Sequence, residues 1–501
     1  MTQAGAAVDL LVVGGGINGC AIARDAAGRG LSVTLVERGD LAQGTSSAST
    51  KLVHGGLRYL ELYEFRLVRE ALAEREVMLA CAPHIIWPLT FVLPHGPGLR
   101  PAWMIRLGLF LYDHLARRRK LEGSHVVSLR GGAYGAPLRE GYRTGFTYAD
   151  CWVDDARLVA LVAMDARERG ARIVTRNGLA SARREDGAWR ATLDDGETLR
   201  ARALVNAAGP YVSQVIEQAL HVGAHKHARL VKGSHIVTRR LFEGEHAYIL
   251  QNPDHRIVFA IPYERDFTLI GTTDVPHAGA PGPVAIDETE TDYLLSSVAQ
   301  FFRTLPTRAD IVWSYAGLRP LFDDGALDAS VVTRDYAFDL DADGPPALSV
   351  FGGKITTARR LAEHALDDLS ALLPSARGAW TARATLPGGD ETFETFLPRL
   401  MREKPFLPEQ VAHRLARAYG TRALRFLCDA RSMTDLGADF GCGLTQAEVD
   451  YLLREEWAAT PEDILWRRSK LGLHMSAEQQ AELARYVGSQ KRLCFEPPRT
   501  S

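Results

Sequence analysis

The chain of 501 residues has few cysteines and no long apolar run, and these absences exclude several classes of protein. Its six cysteines are widely scattered and form no C-x-x-C pair, so the sequence predicts neither a zinc site, nor any other metal site, nor a disulfide framework. It contains no uninterrupted apolar run of about 18 residues, which argues against a membrane-spanning helix. We therefore expect reduced thiols in a cytoplasmic protein.

The chain also lacks an excess of charge of either sign. It carries 59 basic and 61 acidic side chains, a net charge of -2, which gives no general attraction to nucleic acid. Any attraction to anions must come from local clusters. The first stretch, "MTQAGAAVDLLVVGGG", has no basic segment and leads directly into a strand, so we do not expect a signal peptide.

A glycine-rich loop follows the first apolar strand. The segment "VDLLVVGGGINGCAIARDAAGRGLSVTLVERGD" predicts a strand, a tight turn, a helix from about Ile17 to Gly28, and a second strand. Gly14, Gly16 and Gly19 match G-x-G-x-x-G, which allows the turn, the approach of a pyrophosphate and close helix packing. Together with Asn18, they are candidate cofactor ligands at a helix N-terminus, where N–H groups attract phosphate.

An acidic residue ends the second predicted strand. Glu37 lies 18 residues after Gly19, where a carboxylate accepts a hydrogen bond from a ribose hydroxyl. A 2′-phosphate would be repelled there, which argues against NADP. These elements in register predict a dinucleotide site, and the pattern alone leaves FAD and NAD open.

A Ser/Thr-rich loop, "LAQGTSSASTKLVHGGLRYLELYEF", follows the second strand. Such a loop is often only solvated surface, but this one begins at the edge of the sheet where ligands bind in doubly wound folds. Thr45, Ser46 and Ser47 are candidates to bind the pyrophosphate and flavin. His54 and Arg58 would then point toward a substrate.

A third candidate segment is "ALVNAAGPYV", in which an apolar strand ends in small residues. Ala207 and Gly209 would allow a ligand to approach closely. The preceding stretch predicts a hairpin through Asp195 and Gly196. The nucleotide-binding domain is therefore expected to be assembled from separated segments.

A second glycine loop, "SVFGGKITTARR", lies more than three hundred residues after the first. It is not a P-loop, because Leu348 stands where the first glycine is needed and Ile355 where Ser or Thr is needed. ATP hydrolysis is therefore disfavoured.

Several motifs together resemble the FAD-dependent glycerol-3-phosphate dehydrogenases of the D-amino-acid oxidase-like flavoprotein superfamily. They are the two glycine loops, "TSSASTKLVHGGLRYL", "CWVDDARLV", "LVNAAGPYV", "KGSHIV", "IGTTD", "GLRPL" and "TRDY". The resemblance implies FAD as cofactor and oxidation of sn-glycerol 3-phosphate to dihydroxyacetone phosphate by hydride transfer from C2. It further implies electron transfer to membrane quinone and a cytoplasmic enzyme, peripheral on the inner face of the cell membrane. A homodimer is compatible with it.

The resemblance also assigns roles to residues. The second loop would hold the redox-active end of FAD through Gly352, Gly353, Lys354, Ile355 and Thr356. The substrate would be bound by Arg58, Tyr59, Arg319, Arg334 and Lys354. Arg319 would stabilise alkoxide charge, and the proton acceptor is left open among His54, His235 and Lys354.

The expected fold class is multidomain α/β and α+β. A discontinuous Rossmann-like FAD-binding domain is predicted from residues 1–80, 151–219 and 341–385. An antiparallel-sheet substrate domain is predicted from 81–150 and 220–340, and a helical C-terminal domain from 390–501. Within the substrate domain, "RPAWMIRLGLFLYDHLARRRK" is either a core helix or a basic amphipathic helix at a membrane surface.

Two other functions compete with the dehydrogenase. One is a glycerol-3-phosphate oxidase that uses O₂, and the other is a nucleotide-binding assembly protein without redox turnover.

Overall fold

The computed structural model describes residues 7–61, 63–96, 99–223, 226–254, 256–322, 335–373 and 377–495. Its strands are β1 Val8–Val13, β2 Val33–Val36, β3 Leu52–Val53, β4 Ile86–His95, β5 His125–Ser128, β6 Thr144–Val153, β7 Arg172–Val174, β8 Leu179–Glu185, β9 Ala188–Leu193, β10 Thr198–Asn206, β11 Ala228–Arg239, β12 Ala247–Gln251, β13 Ile257–Tyr263, β14 Phe267–Gly271, β15 Val275–Pro276, β16 Ile311–Phe322, β17 Ala337–Asp341 and β18 Ala347–Phe351.

Its α-helices are α1 Ile17–Gly28, α2 Phe65–Cys81, α3 Ala102–His114, α4 Gly132–Gly135, α5 Asp155–Glu168, α6 Val212–Gln214, α7 Glu288–Ala299, α8 Ala358–Leu369, α9 Phe393–Glu403, α10 Glu409–Tyr419, α11 Ala423–Leu427, α12 Gln446–Glu455 and α13 Ala477–Phe495. Within the ranges described, no helix has both the length and the apolar character that crossing a bilayer requires.

The first sheet has the order β17-β18-β10-β1-β2-β7, with the β8–β9 hairpin attached to β10. Its central strands β18, β10, β1, β2 and β7 pair in parallel. Leu10, Leu11 and Val12 of β1 are fully buried, because helices and chain cover both faces of a parallel sheet. The Rossmann-like part of the predicted fold class is confirmed, including the hairpin through Asp195 and Gly196, which joins β9 to β10.

The second sheet has the order β15-β11-β14-β13-β12-β4-β6-β3, with β16 paired to β11 and β5 to β6. Strands β12, β13 and β14 form the antiparallel meander that the sequence predicts. Strand β3 lies within the segment predicted for the FAD-binding domain but pairs with β6. The Ser/Thr-rich loop between β2 and β3 therefore connects the two sheets. The domain boundaries stay a prediction.

Helices α9 to α13 form the C-terminal part. The turn of helix that starts at Pro461 is capped by Thr460, since the Asp463 N–H donates to Thr460 Oγ1 at 3.3 Å. Ion pairs join this part to the first sheet. Arg468 donates to Asp40 at 2.8 Å with both side chains buried, and removing one partner of such a pair costs about 3–5 kcal/mol.

Candidate flavin and substrate site

The first glycine loop turns so tightly that side chains are excluded from it. Gly14 has φ +112°, and a Cβ there would lie 2.5 Å from the Ala207 carbonyl oxygen at the end of β10. A Cβ on Gly19 would clash with the Gly14 carbonyl. A Cβ on Gly16 would lie 3.2 Å from Ser46 Oγ. The backbone of α1 therefore starts in direct contact with β10 and the Ser/Thr-rich loop, which brings three predicted cofactor segments together.

Glu37 lies at the end of β2, beside the same turn. Its carboxylate accepts the Gly15 N–H at 2.6 Å and the Gly39 N–H at 2.7 Å. These bonds fix the carboxylate against the glycine loop, at the strand end where a ribose would be bound. Gly209, with φ +58°, opens a short turn after β10 on the other side of β1.

The Ser/Thr-rich loop is attached to the start of α1 and to β16. Ser46 Oγ accepts the Ile17 N–H at 3.0 Å, while Thr45 donates to the Leu318 carbonyl on β16. Ser47 donates weakly to the Gly44 carbonyl at 3.4 Å. Of the three hydroxyls, that of Ser47 has the weakest internal bond, and Ser46 is engaged with the helix start.

A buried lysine in this loop was missed by sequence reasoning. Lys51 donates to Asp155 at 2.8 Å and to the Ser47 carbonyl at 3.1 Å, and both charged side chains are buried. Burial lowers the pKa of Lys51, and Asp155 opposes that shift. Asp155 also accepts the Ser49 hydroxyl at 2.7 Å. The pair therefore fixes the loop to α5, and the charged residues in "STKL" and "WVDDAR" were the available signal.

The second glycine loop contacts the first. Gly352 and Gly353 have φ +76° and +93°, and a Cβ on Gly353 would lie 2.8 Å from Asn18 Nδ2. Asn18 donates to the Gly352 carbonyl at 3.2 Å, whereas its Oδ1 is buried with no hydrogen-bond partner. Two loops separated by more than three hundred residues thus meet at Asn18. An unsatisfied acceptor between two glycine turns fits a bound group that carries a donor.

The segment from His54 to Tyr59, which carries candidate substrate residues, is attached to this second loop. A short helical turn begins at Ile355. Within it, Thr356 Oγ1 accepts the His54 N–H at 3.3 Å. The ammonium of Lys354 lies 4.0 Å from the centre of the Tyr59 ring. Helix α8 starts at Ala358, directly after this turn.

The two candidate histidines differ in access. His54 is half-buried, and burial, with Lys354 and Arg75 adding, lowers its pKa to about 4 although Asp150 opposes this. His235 is fully buried, stacked on Tyr315 at 4.8 Å and bonded to Thr50 at 2.9 Å. Burial, with Arg319 and Lys51 adding, lowers the pKa of His235 well below its usual range. Both imidazoles are therefore neutral at pH 7.

Arg319 lies on β16 and is engaged by the loop after β14. It pairs with Asp274 and donates to the Thr273 carbonyl at 3.3 Å and to Thr272 Oγ1 at 2.5 Å. A Cβ on Gly233, on the neighbouring strand β11, would clash with the guanidinium, so the glycine makes room for it. Arg319 is therefore anchored to a loop, which the sequence did not indicate. Arg334 and the side chain of Arg58 lie outside the part of the chain that the structure describes.

Two family models match the chain. Residues 9–359 match the FAD dependent oxidoreductase model, and residues 379–489 match the C-terminal domain of alpha-glycerophosphate oxidase. The chain belongs to the FAD-dependent oxidoreductase family. Its cofactor is FAD, so the choice that the glycine pattern left open is decided, and the prediction of FAD is confirmed.

Two relatives are similar in sequence to this flavoprotein over nearly its full length. It is 56% identical over 490 residues to a glycerol-3-phosphate dehydrogenase of Pseudomonas aeruginosa, with 96% of this chain and 95% of that protein covered. It is 53% identical over 482 residues to D-erythritol 1-phosphate dehydrogenase of Brucella abortus, covering 94% and 96%.

A solved structure has the same fold. The glycerol-3-phosphate dehydrogenase from Bacillus halodurans, complexed with FAD, superposes with a TM-score of 0.74 at 26% identity. The match covers 99% of this flavoprotein's chain and 96% of that one. The predicted family resemblance and fold class are therefore confirmed.

Proposed function

We propose that the protein is a FAD-dependent glycerol-3-phosphate dehydrogenase that oxidises sn-glycerol 3-phosphate to dihydroxyacetone phosphate and passes the electrons to membrane quinone. The observation that carries the proposal is a pair of contacts between the flavin turn (residues 352–357) and the Ser/Thr-rich loop. The Lys354 ammonium lies over the Tyr59 ring, and Thr356 accepts the His54 N–H. These contacts support a site in which Lys354 and His54 lie next to the cofactor loops. The names of the relatives supply the substrate.

FAD would be held by the residues at which the loops meet. Its phosphates would face the start of α1 and Ser47, and its ribose would face Glu37. Its flavin end would face the turn at Gly352 and Gly353. When bound, FAD supplies the two-electron acceptor for the C2 alcohol. The protein's own contribution is to bind the phosphate, orient C2, exclude water and accept the hydroxyl proton.

The proton acceptor is assigned to His54. It is neutral at pH 7 and partly exposed, whereas His235 has no exposed surface and its Nε2 is engaged by Thr50. Since a general base must be within hydrogen-bond reach of the proton it takes, the greater access of His54 favours it over His235.

The phosphate is assigned to a cluster of cations around the flavin turn. Lys354 supplies a point charge, and Arg319 supplies a guanidinium that the acidic loop residue Asp274 partly neutralises. Arg58 and Arg334 stay predicted members of this cluster.

Attachment to the membrane is assigned to α3. Trp103, Leu107 and Phe110 recur at helical spacing and are 66%, 50% and 47% exposed. The residues that follow the helix, 117–120, are all basic. An exposed apolar stripe next to cations suits the surface of an anionic bilayer. A homodimer stays a prediction.

Anaerobic titration of the purified flavoprotein tests this function. Glycerol 3-phosphate should bleach the flavin, and D-erythritol 1-phosphate should be compared because one relative carries that name. Reduced enzyme should then transfer electrons to a quinone analogue faster than to O₂. Peroxide formation at equal rate would favour the oxidase, and a flavin that neither substrate bleaches would overturn the proposal.

A further inference from the structure

A buried cluster outside the cofactor loops holds the segment that carries His54. The Asp150 carboxylate, on β6, accepts from Arg75 Nη1 at 2.5 Å and from the Tyr112 hydroxyl at 2.7 Å. All three side chains are at least 96% buried. Arg75 also donates to the Ala149 carbonyl at 2.6 Å, which fixes the guanidinium to the same strand.

The cluster is directed at one peptide N–H. Gly55 donates to Asp150 Oδ1 at 3.2 Å and to the Tyr112 hydroxyl at 2.9 Å. Gly55 directly follows His54, whose own N–H is bound by Thr356 of the flavin turn. Two successive peptide N–H groups are thus held from opposite sides, one by the flavin turn and one by the buried cluster.

The same cluster determines the position of Tyr59. Gly56 has φ +76°, and the Tyr59 ring packs so closely on it that a Cβ there would clash. The turn after Gly55 therefore carries the ring on which Lys354 rests. A shift of the Gly55 peptide would move both the imidazole and the ring relative to the flavin turn.

We propose that Asp150 and Tyr112 are positioning residues for the reaction: they fix the Gly55 peptide and so hold His54 and Tyr59 in register with the flavin turn. The inference rests on the proposed function. The hydrogen bonds of Asp150 and Tyr112 go to the Gly55 peptide, to Arg75 and to each other, so we expect FAD to be retained when either side chain is replaced. A misplacement of about 1 Å at a reacting group is enough to slow catalysis strongly.

The test compares Tyr112→Phe with Tyr148→Phe. Both variants remove one hydroxyl from a buried ring, and the two rings lie 5.8 Å apart, so packing losses are matched. Only Tyr112→Phe removes bonds to Gly55 and Asp150. We expect a limiting rate of flavin reduction by glycerol 3-phosphate about 5- to 20-fold lower in Tyr112→Phe. FAD content and the reoxidation rate with an electron-accepting dye should match those of Tyr148→Phe.

Asp150→Asn extends the series. It keeps the shape of the side chain but weakens the bonds that Asp150 accepts from Arg75, Tyr112 and Gly55. The rate of flavin reduction should therefore fall further than in Tyr112→Phe, and the rate of reoxidation by the dye should be unchanged in the folded fraction. Charged groups facing His54 are Asp150, Arg75 and Lys354, so Tyr112→Phe should leave the pH profile of reduction in place. Equal reduction rates in Tyr112→Phe and Tyr148→Phe would overturn the inference, as would a loss of FAD that accounts for the slower rate. If the parent protein itself fails to be reduced, it is the proposed function that fails.

Discussion

The ammonium of Lys354 lies 4.0 Å from the centre of the Tyr59 ring, although the two residues are almost three hundred positions apart. The contact joins the flavin turn to the segment that carries His54. Because a cation over an aromatic face is worth about 0.5–2 kcal/mol, the ring contributes to orienting the ammonium.

Replacing Tyr59 tests that contact. Tyr59→Phe keeps the ring face and should leave kcat/KM for glycerol 3-phosphate within about twofold of the parent value. Tyr59→Leu removes the face and should lower kcat/KM about 2- to 30-fold. Steady-state kinetics at matched FAD occupancy measures both. Equal defects in the two variants would show that the hydroxyl matters and that the cation–ring contact does not.

Arg319 should affect the phosphate substrate more than glycerol. Arg319→Leu removes at least one charge-assisted bond of about 1.5–3 kcal/mol, so kcat/KM for glycerol 3-phosphate should fall about 10- to 150-fold with FAD retained. Arg319→Lys should restore the rate only partly, because the planar fork is lost. Asp274→Asn is the control, since it removes the loop ion pair and keeps the guanidinium. If Asp274→Asn reproduces the defect, Arg319 serves the loop and does not read the phosphate.

Glu37 should determine FAD retention. Glu37→Arg removes the acceptor of the Gly15 N–H and places a cation beside the glycine loop, so purified protein should contain much less flavin. Glu37→Gln keeps an acceptor oxygen and should lose less flavin than Glu37→Arg. The ratio of flavin to protein absorbance reports both, and full occupancy in Glu37→Arg would contradict the assigned role.

Buried histidines should make the fold sensitive to mild acid. Burial, with Arg157 and Arg417 adding, lowers the pKa of His84 to about 3. Between pH 6.5 and 3 the unfolded chain binds a proton there that the native state does not, so stability is full above pH 6.5 and falls as pH drops. From pH 6.5 to 5 the loss is about 2 kcal/mol for this group.

Urea unfolding at the two pH values measures the loss. His84→Leu should reduce the pH dependence by the share of this one group, whereas the exposed His125→Leu should keep it. An unchanged slope in His84→Leu would show that this residue is not the source.

The apolar stripe of α3 should govern vesicle binding. Leu107→Asp should reduce co-sedimentation with phosphatidylglycerol-containing vesicles about tenfold or more, because it removes apolar area and adds a negative charge. Leu305→Asp, at a residue 48% exposed elsewhere, is the matched control. Charge reversal across residues 117–120 tests the basic end separately. Equal binding by the two aspartate variants would exclude α3 as the contact.

The local patterns in the sequence were enough to predict that the protein binds a dinucleotide. Gly14 and Gly19 stand where a side chain would clash with the backbone, and the alternation of strand and helix around this turn is periodic over short distances. The position of Glu37 could be predicted because it ends the second strand, at the edge of the sheet where ligands bind. The cap at Thr460 is equally local.

Only the tertiary structure decided which distant residues meet. The contact of Asn18 with Gly352, the ion pair of Arg319 with Asp274 and the grip of Asp150 on Gly55 each depend on how separated segments pack. The burial that disfavours His235 as base has the same origin, since desolvation is set by all surrounding elements together. Sequence determined the chemistry available at each position because turns and periodicity are local. Packing across two sheets determined which of those groups face one another, because contact between distant segments is settled only by the whole core.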